Sequence, residues 1–448
     1  MLCLVASHNN GVKMVSNEIE RKLEDFWKNG IPEFVPRLDP VDIVPNMVSS
    51  LIGARRAGKS FRALQVADEF LKQRQVASIR NICFLDFDNP VLSSMNAKDL
   101  LEIQKAYLKL NPDFDMKTPS LFIFDEIYRI SGWENAVIEL SRNRNWKVFV
   151  TGSSSKLLRD DIAKELRGKS ISTEIYPLSF REFIDFHHAQ ADIRSTVGQA
   201  RLNALLESYL LWGGFPALAE TQEISKAKLL REYFDTMILK DVIQRFGVSQ
   251  PRECIHLYRY LLSCMGRSVS HKSSYEYLRQ CRFHIGRDTV ISLLQHSEDS
   301  WLFFPVPIYS SSQKEIDRNC KKNYCIDWAL ANHNSPVWDG SLSRAFENIV
   351  FVQLMRKHSR VNYYLTKSQR KEVDFIVTGN NGKPSSAIQV SLDISDKETL
   401  KREMEPLIST AKYFGIKENF IVTRNEEQSF SHEGLKICAV PAWKWLLE

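Results

Sequence analysis

The stretch LIGARRAGKS, residues 51–60, decides how the first half of the chain is read. Gly53, Gly58, Lys59 and Ser60 fit the spacing G-x-x-x-x-G-K-[ST]. Each residue type has a chemical reason to be there. Glycines let the backbone turn tightly, so that its N–H groups point inward at an anion. The lysine reaches the β- and γ-phosphates of a nucleoside triphosphate, and the hydroxyl after it is placed to ligate Mg²⁺. The candidate nucleotide-binding segment is therefore Gly53, Ala54, Arg55, Arg56, Ala57, Gly58, Lys59, Ser60 and Phe61.

Short motifs also arise by chance, so the flanks carry weight. The run MVSSLI, residues 47–52, reads as a strand entering the loop. Phe61, Leu64, Phe70 and Leu71 follow at spacings expected to pack a helix on a sheet. That helix would add its positive N-terminal end to an anion site.

Downstream, SLFIFDEIYRISGWENA ends an apolar strand in Asp125 and Glu126. An aspartate at a buried strand's C-terminal edge can hold a metal's water shell, and the neighbouring glutamate can polarise an attacking water. A solvated acidic pair is the structural alternative. A third strand, in KVFVTGSSSKLL, ends in Thr151 and Ser153. These suit either a sensor of the terminal phosphate or an ordinary turn or helix cap.

The whole chain sets the wider bounds. Its 448 residues imply two to four domains. With 44% hydrophobic and 25% charged residues it is globular, which excludes general disorder. Lys and Arg outnumber Asp and Glu by 60 to 54, a weak hint of an anionic partner. Eight cysteines without a CxxC pair read as reduced thiols of a cytoplasmic protein. No apolar run is long enough for a membrane span, and MLCLVA is too short for a secretory signal. Ser16 or Asn17 is expected to cap a first helix whose apolar face is Ile19, Leu23, Phe26 and Trp27, with the first 13 residues, before Met14, a poorly ordered extension.

Taken in order, GARRAGKS, FIFDEIYRISGWE, VTGSSSKLL, ELRGKSISTEIYPLSFREFIDF, YLLWGGFPAL and ILKDVI resemble a large archaeal and bacterial family of AAA-type ATPases. The resemblance runs from about residue 37 to near the end. It implies an α/β fold: a P-loop additional-strand (AAA-like) ATPase core, a helical lid, a winged helix and a C-terminal restriction-endonuclease-like α/β domain. The corresponding segments are an N-terminal extension and helix at 1–36, the core at 37–185, the lid at 186–250, the winged helix at 251–335 and the last domain at 336–448. It also implies ATP and Mg²⁺ as cofactors, Lys59, Glu126 and Arg167 as catalytic residues, and Ser60 and Asp125 at the metal. Arg167, in ELRGKS, is the residue to which a finger acting on a neighbour's nucleotide would carry over, in a homo-oligomer; a surface ion pair is its other reading.

Two later segments bear on partners. Between residues 252 and 288 lie Arg279, Arg282 and Arg287 with interleaved histidines, in a helix–turn–helix pattern followed by a strand pair. Val290, Leu293 and Leu294 supply the inward face, leaving His284, Arg287 and Asp288 near the helix start for a DNA groove, or simply for solvent. In the last domain Glu347, Asp374, Gln389 and Ser391 follow the order of a restriction-type nuclease core. Active versions carry Glu/Asp-x-Lys where this chain has Gln389-Val390-Ser391. Glutamine brings no charge to Mg²⁺ and serine cannot replace an ammonium, so the nuclease is expected to be inactive. The sequence thus reads as a Mg²⁺-dependent ATPase, a switch or motor acting on or near DNA. A slow nucleotide-gated scaffold for protein partners and an ATP-regulated nuclease are the alternatives.

Overall fold

Apolar runs become strands wherever they are short enough to be bounded by turns. The computed structural model describes residues 2–153, 168–335, 342–367, 370–379 and 381–448. The chain divides into two compact units, Met1–Ile175 and Tyr176–Glu448.

The first unit opens with α1 (Leu2–Asn29). No proline interrupts it, so it begins well before Ser16 and Asn17, which lie inside the helix and not at its cap. Ser16 instead donates to Glu20 Oε1 at 3.3 Å. Ile19 and Leu23 are fully buried, Phe26 stacks on Phe84 and the Trp27 indole N–H donates to the Ile82 carbonyl at 2.8 Å.

The strands are β1 (Val48–Ile52), β2 (Ile82–Asp86), β3 (Ser120–Asp125), β4 (Trp146–Gly152) and β5 (Ser170–Glu174). All pairs are parallel, in the order β2-β3-β4-β1-β5. β4 therefore separates the strand that feeds the glycine loop from the strand that ends in Asp125. Parallel central strands are covered on both faces, which is why LFIF and VFV are continuously apolar. β5 is half-exposed and polar, so it lacked that signal.

Between them run α2 (Lys59–Lys72), α3 (Glu102–Leu110) and α4 (Trp133–Ser141). α2 buries Ala63, Leu64, Val66, Ala67 and Phe70. Phe61 does not join them and is 53% exposed. Nine residues at about 100° each put it on the far side of the helix from Phe70.

The second unit starts with α5 (Phe180–Phe186), α6 (Thr196–Trp212), α7 (Pro216–Glu220) and α8 (Glu223–Thr236), which continues as π-helical turns over Met237–Gln244. Next come α9 (Pro251–Ser263), β6 (Arg267–Val269), α10 (His271–Gln280), α11 (Arg287–Asp299), β7 (Phe303–Val306), α12 (Gln313–Arg318), β8 (Lys321–Cys325) and α13 (Ala329–Asn334). The three strands form an antiparallel sheet, β6-β8-β7, with β8 in the middle.

The segment WGGFPA is built around a buried carboxylate. Asp327 accepts from the Gly214 N–H at 2.7 Å and the Ala329 N–H at 3.0 Å. A Cβ on Gly213, whose φ is +77°, would stand 2.0 Å from Asp327 Oδ1. Only glycine fits there. Burial pushes the Asp327 carboxyl up to about 7, although the N–H groups that donate to it act the other way.

The unit closes with α14 (Leu342–Lys357), β9 (Val361–Leu365), β10 (Glu372–Thr378), β11 (Pro384–Val390), α15 (Lys397–Phe414), β12 (Glu418–Thr423), β13 (Gln428–His432), β14 (Leu435–Pro441) and α16 (Ala442–Trp445). Its sheet runs β13-β14-β12-β11-β10-β9 and is mixed, with β11, β12 and β14 parallel. Val373, Ile376, Ala387, Leu407, Ala411 and Ile421 make the centre of its core.

Candidate nucleotide site

The loop between β1 and α2 is shaped by its glycines. A Cβ on Gly53 would lie 2.0 Å from the Ile175 carbonyl oxygen, and Gly58 sits at φ 98°. Neither position tolerates a side chain without strain. Ala54, Ala57 and Lys59 are buried, Arg55 and Ser60 are half-buried, and Arg56 is exposed with φ 70°.

The segment before β1 braces this loop. Arg37 Nη1 donates to the Ala57 carbonyl at 2.7 Å, and the Gln65 amide makes two bonds with the Arg37 backbone, at 2.8 and 3.1 Å. Arg62 Nε donates to the Asp39 carbonyl at 3.2 Å. The sequence motif gave no sign of Arg37 or Gln65. Their signal is spatial, since they are 28 residues apart.

Across the loop, β3 and β4 deliver their ends together. The Thr151 hydroxyl donates to Asp125 Oδ1, and the Ser60 hydroxyl lies beside the same carboxylate. The Glu126 N–H donates to Thr151 Oγ1 at 3.0 Å. Thr151 thus ties both acidic residues to the neighbouring strand, while the Ser153 hydroxyl lies 3.0 Å from the Tyr128 hydroxyl. Glu126 adopts a left-handed backbone, φ 55° and ψ 33°, which turns it off the strand line. Its Oε1 is 3.8 Å from Lys59 Nζ, and Lys59 also donates to the Ala54 carbonyl at 3.0 Å.

Burial pushes the Asp125 carboxyl up to about 6, the Ser60 and Thr151 hydroxyls acting to lower it. Asp86, beside Asp125 on β2, is likewise raised by burial. A buried carboxylate flanked by a hydroxyl and a second carboxylate is a hard, anionic oxygen set. Such a set fits Mg²⁺ with a phosphate. Arg167 lies outside the described residues.

A relative from Methanocaldococcus jannaschii, the uncharacterized protein MJ1544, is 30% identical over 424 residues, covering 91% of this chain and 90% of that protein. The chain belongs to the family of that archaeal protein. A family model described as an AAA domain matches residues 45–184. Two domains of unknown function, DUF8612 and DUF4143, match residues 203–338 and 342–445. An uncharacterized protein of Haemophilus influenzae is 28% identical over 82% of this chain and 90% of its own length. The chain is also similar to a solved structure described as a Walker-type ATPase of Pyrococcus abyssi, at 14% identity and a TM-score of 0.41, over 70% of this chain and 94% of that one. The AAA domain thus spans the glycine loop, Asp125 and Glu126. Among the described residues no helix is long and apolar enough to cross a membrane.

Outside the AAA domain, the two later segments hold their singled-out residues as follows. In the segment matched by DUF8612, Val290 and Leu293 are buried and Leu294 is half-buried. Arg279, Arg282, His284 and Arg287 are exposed at and around the start of α11, and Arg287 lies over the Tyr275 ring. In the segment matched by DUF4143, Glu347, Asp374, Gln389 and Ser391 line one pocket of about 550 Å³. Gln389 accepts from the Asp374 N–H at 3.3 Å and donates to Glu403 at 2.7 Å. The lysine missing after Gln389 has a counterpart that sequence order concealed: Lys322, from β8, reaches Glu347 at 2.6 Å, Glu372 at 2.9 Å and Asp374 at 3.3 Å.

Proposed function

We propose that the chain is a Mg²⁺-dependent ATPase whose turnover drives the segments after its AAA domain, acting on or near DNA. The observation that supports this best is the meeting of Ser60 with Asp125, and of Lys59 with Glu126, at the ends of adjacent elements. A motif match alone would not bring those pairs together.

Ser60 and Asp125 would hold Mg²⁺, which supplies charge neutralisation on the phosphates when bound. The rest is done by the chain. The loop from Gly53 to Phe61 cradles the phosphates, and Lys59 gives up its bond to Ala54 to neutralise the terminal ones. Glu126, freed from Lys59, orients the attacking water and takes up its proton. Thr151 holds Asp125 and Glu126 in register through a single hydroxyl. The exposed Arg279, Arg282 and Arg287 are suited to phosphate contacts with duplex DNA. A trans role for Arg167 in a homo-oligomer belongs to the same reading.

Turnover of ATP with Mg²⁺, measured with and without duplex DNA, tests it. Lys59→Ala is expected to weaken triphosphate binding by about two orders of magnitude or more, because a buried charge–charge contact to the phosphates is lost. Wild-type binding by Lys59→Ala contradicts the reading. DNA-independent turnover with tight nucleotide retention transfers support to the slow scaffold.

A further inference from the structure

Three carboxylates that line one pocket, Glu347, Glu372 and Asp374, already share a cation of the chain's own. Lys322 sits on the central strand β8, paired on both sides, at Ser268 and Val306. Its side chain is 3% exposed and reaches oxygens of all three carboxylates. A buried ammonium is costly unless it is paired and its donors are used, and Lys322 has three carboxylate acceptors for three N–H groups.

Glu347 and Asp374 are committed to further donors as well. Glu347 Oε1 also accepts from the Tyr324 hydroxyl at 2.6 Å. Asp374 Oδ2 accepts from the Val390 N–H at 2.9 Å while Oδ1 faces Lys322. Gln389 is turned to Glu403, whose other oxygen takes two N–H groups of Arg402. A divalent metal needs those same lone pairs in a near-octahedral set. Among the described residues no group of three or more His, Cys, Asp or Glu side chains is arranged to hold one.

We propose that Lys322 is the resident cation of this carboxylate cluster and that its ammonium closes the cluster to divalent metals. The contact is autoinhibitory in the chemical sense: one ammonium is shared by three carboxylates and engages an oxygen of each that a metal would need. Burial opposes the charge on Lys322, yet the three carboxylates outweigh it and hold the group protonated. This does not depend on the nucleotide site.

The test is Mn²⁺ binding to the nucleotide-free full-length chain, read by electron paramagnetic resonance of free Mn²⁺. Lys322→Ala removes the ammonium and leaves the carboxylates. It is expected to gain one Mn²⁺ site that wild type lacks, and Asp374→Asn in that background should weaken the site by about tenfold or more. Equal Mn²⁺ binding by wild type and Lys322→Ala, or a gained site indifferent to Asp374→Asn, overturns the proposal. A reading on wild type covers the case in which the variant does not fold. Amine labelling followed by mass spectrometry should leave Lys322 unmodified with or without millimolar Mn²⁺. Labelling of Lys322 that rises with Mn²⁺ would mean that metal displaces the ammonium, which also overturns it.

Discussion

Among the described residues, Lys59 and Lys322 are nearly inaccessible lysines that face carboxylates, and they are held in opposite ways. Lys59, 4% exposed, has one backbone carbonyl at 3.0 Å and one glutamate at 3.8 Å. Lys322, 3% exposed, has three carboxylates at 2.6–3.3 Å. The first is loosely held beside a loop whose glycines leave room for an anion. The second is fully spent. Buried charge that is only partly compensated is ready to take a ligand, whereas buried charge that is matched group for group is a structural joint. The same side chain therefore marks an open site in one unit and a closed one in the other.

Removing the joint should have the larger effect on stability. Lys322→Met leaves Glu347, Glu372 and Asp374 facing one another without a counter-charge, and is expected to cost about 3–5 kcal/mol in urea denaturation. A change under 1 kcal/mol, about the value of an exposed pair, would mean that the cluster is not closed as described.

A second buried carboxylate sharpens the contrast through pH. Asp327 is raised from 3.8 to about 7 by burial, so the folded chain binds its proton more tightly than the unfolded one. Its contribution is full below the unfolded value and is lost as pH rises towards 7. The stability of wild type relative to Asp327→Asn should therefore fall between pH 4 and pH 7. A pH-independent difference would mean that the N–H groups around it, and not burial, decide its charge.

The smallest effect is expected at Phe61. It is 53% exposed, so Phe61→Ala should change stability by less than about 0.5 kcal/mol. A loss of several kcal/mol would place Phe61 in the core after all.

These sites were unequally legible in the sequence. Gly53, Gly58, Lys59 and Ser60 announce themselves because a phosphate cradle is local: one turn and the start of one helix hold all of it. Asp125 and Glu126 were visible as polar residues closing an apolar run. The central strands β3 and β4 were legible for the same reason, being continuous in hydrophobicity. Arg37 and Gln65 were not, since their bonds join segments 28 residues apart and neither belongs to a pattern. Lys322 was hidden most thoroughly. It lies 52 residues before Asp374, on a strand that reads merely as basic, and only pairing of β8 between β6 and β7 aims it at the carboxylates. The start of α1 was misjudged because Ser16 and Asn17 have cap chemistry, while the uninterrupted residues before them carry the helix on. Phe61 was misjudged by grouping it with Leu64, Phe70 and Leu71 on one face, when the buried arc of α2 is centred on Phe70.

The measurement that bears most directly on the account is ATP turnover by Glu126→Gln set beside its nucleotide binding. Glu126 lies next to Lys59 and is tied to β4 through Thr151, and the proposed function gives it a role in hydrolysis and none in cradling phosphates. The account predicts wild-type affinity for ATP with Mg²⁺ and turnover reduced by about 10²–10⁴-fold, the usual loss when a general base is removed. Turnover at the wild-type rate would contradict it.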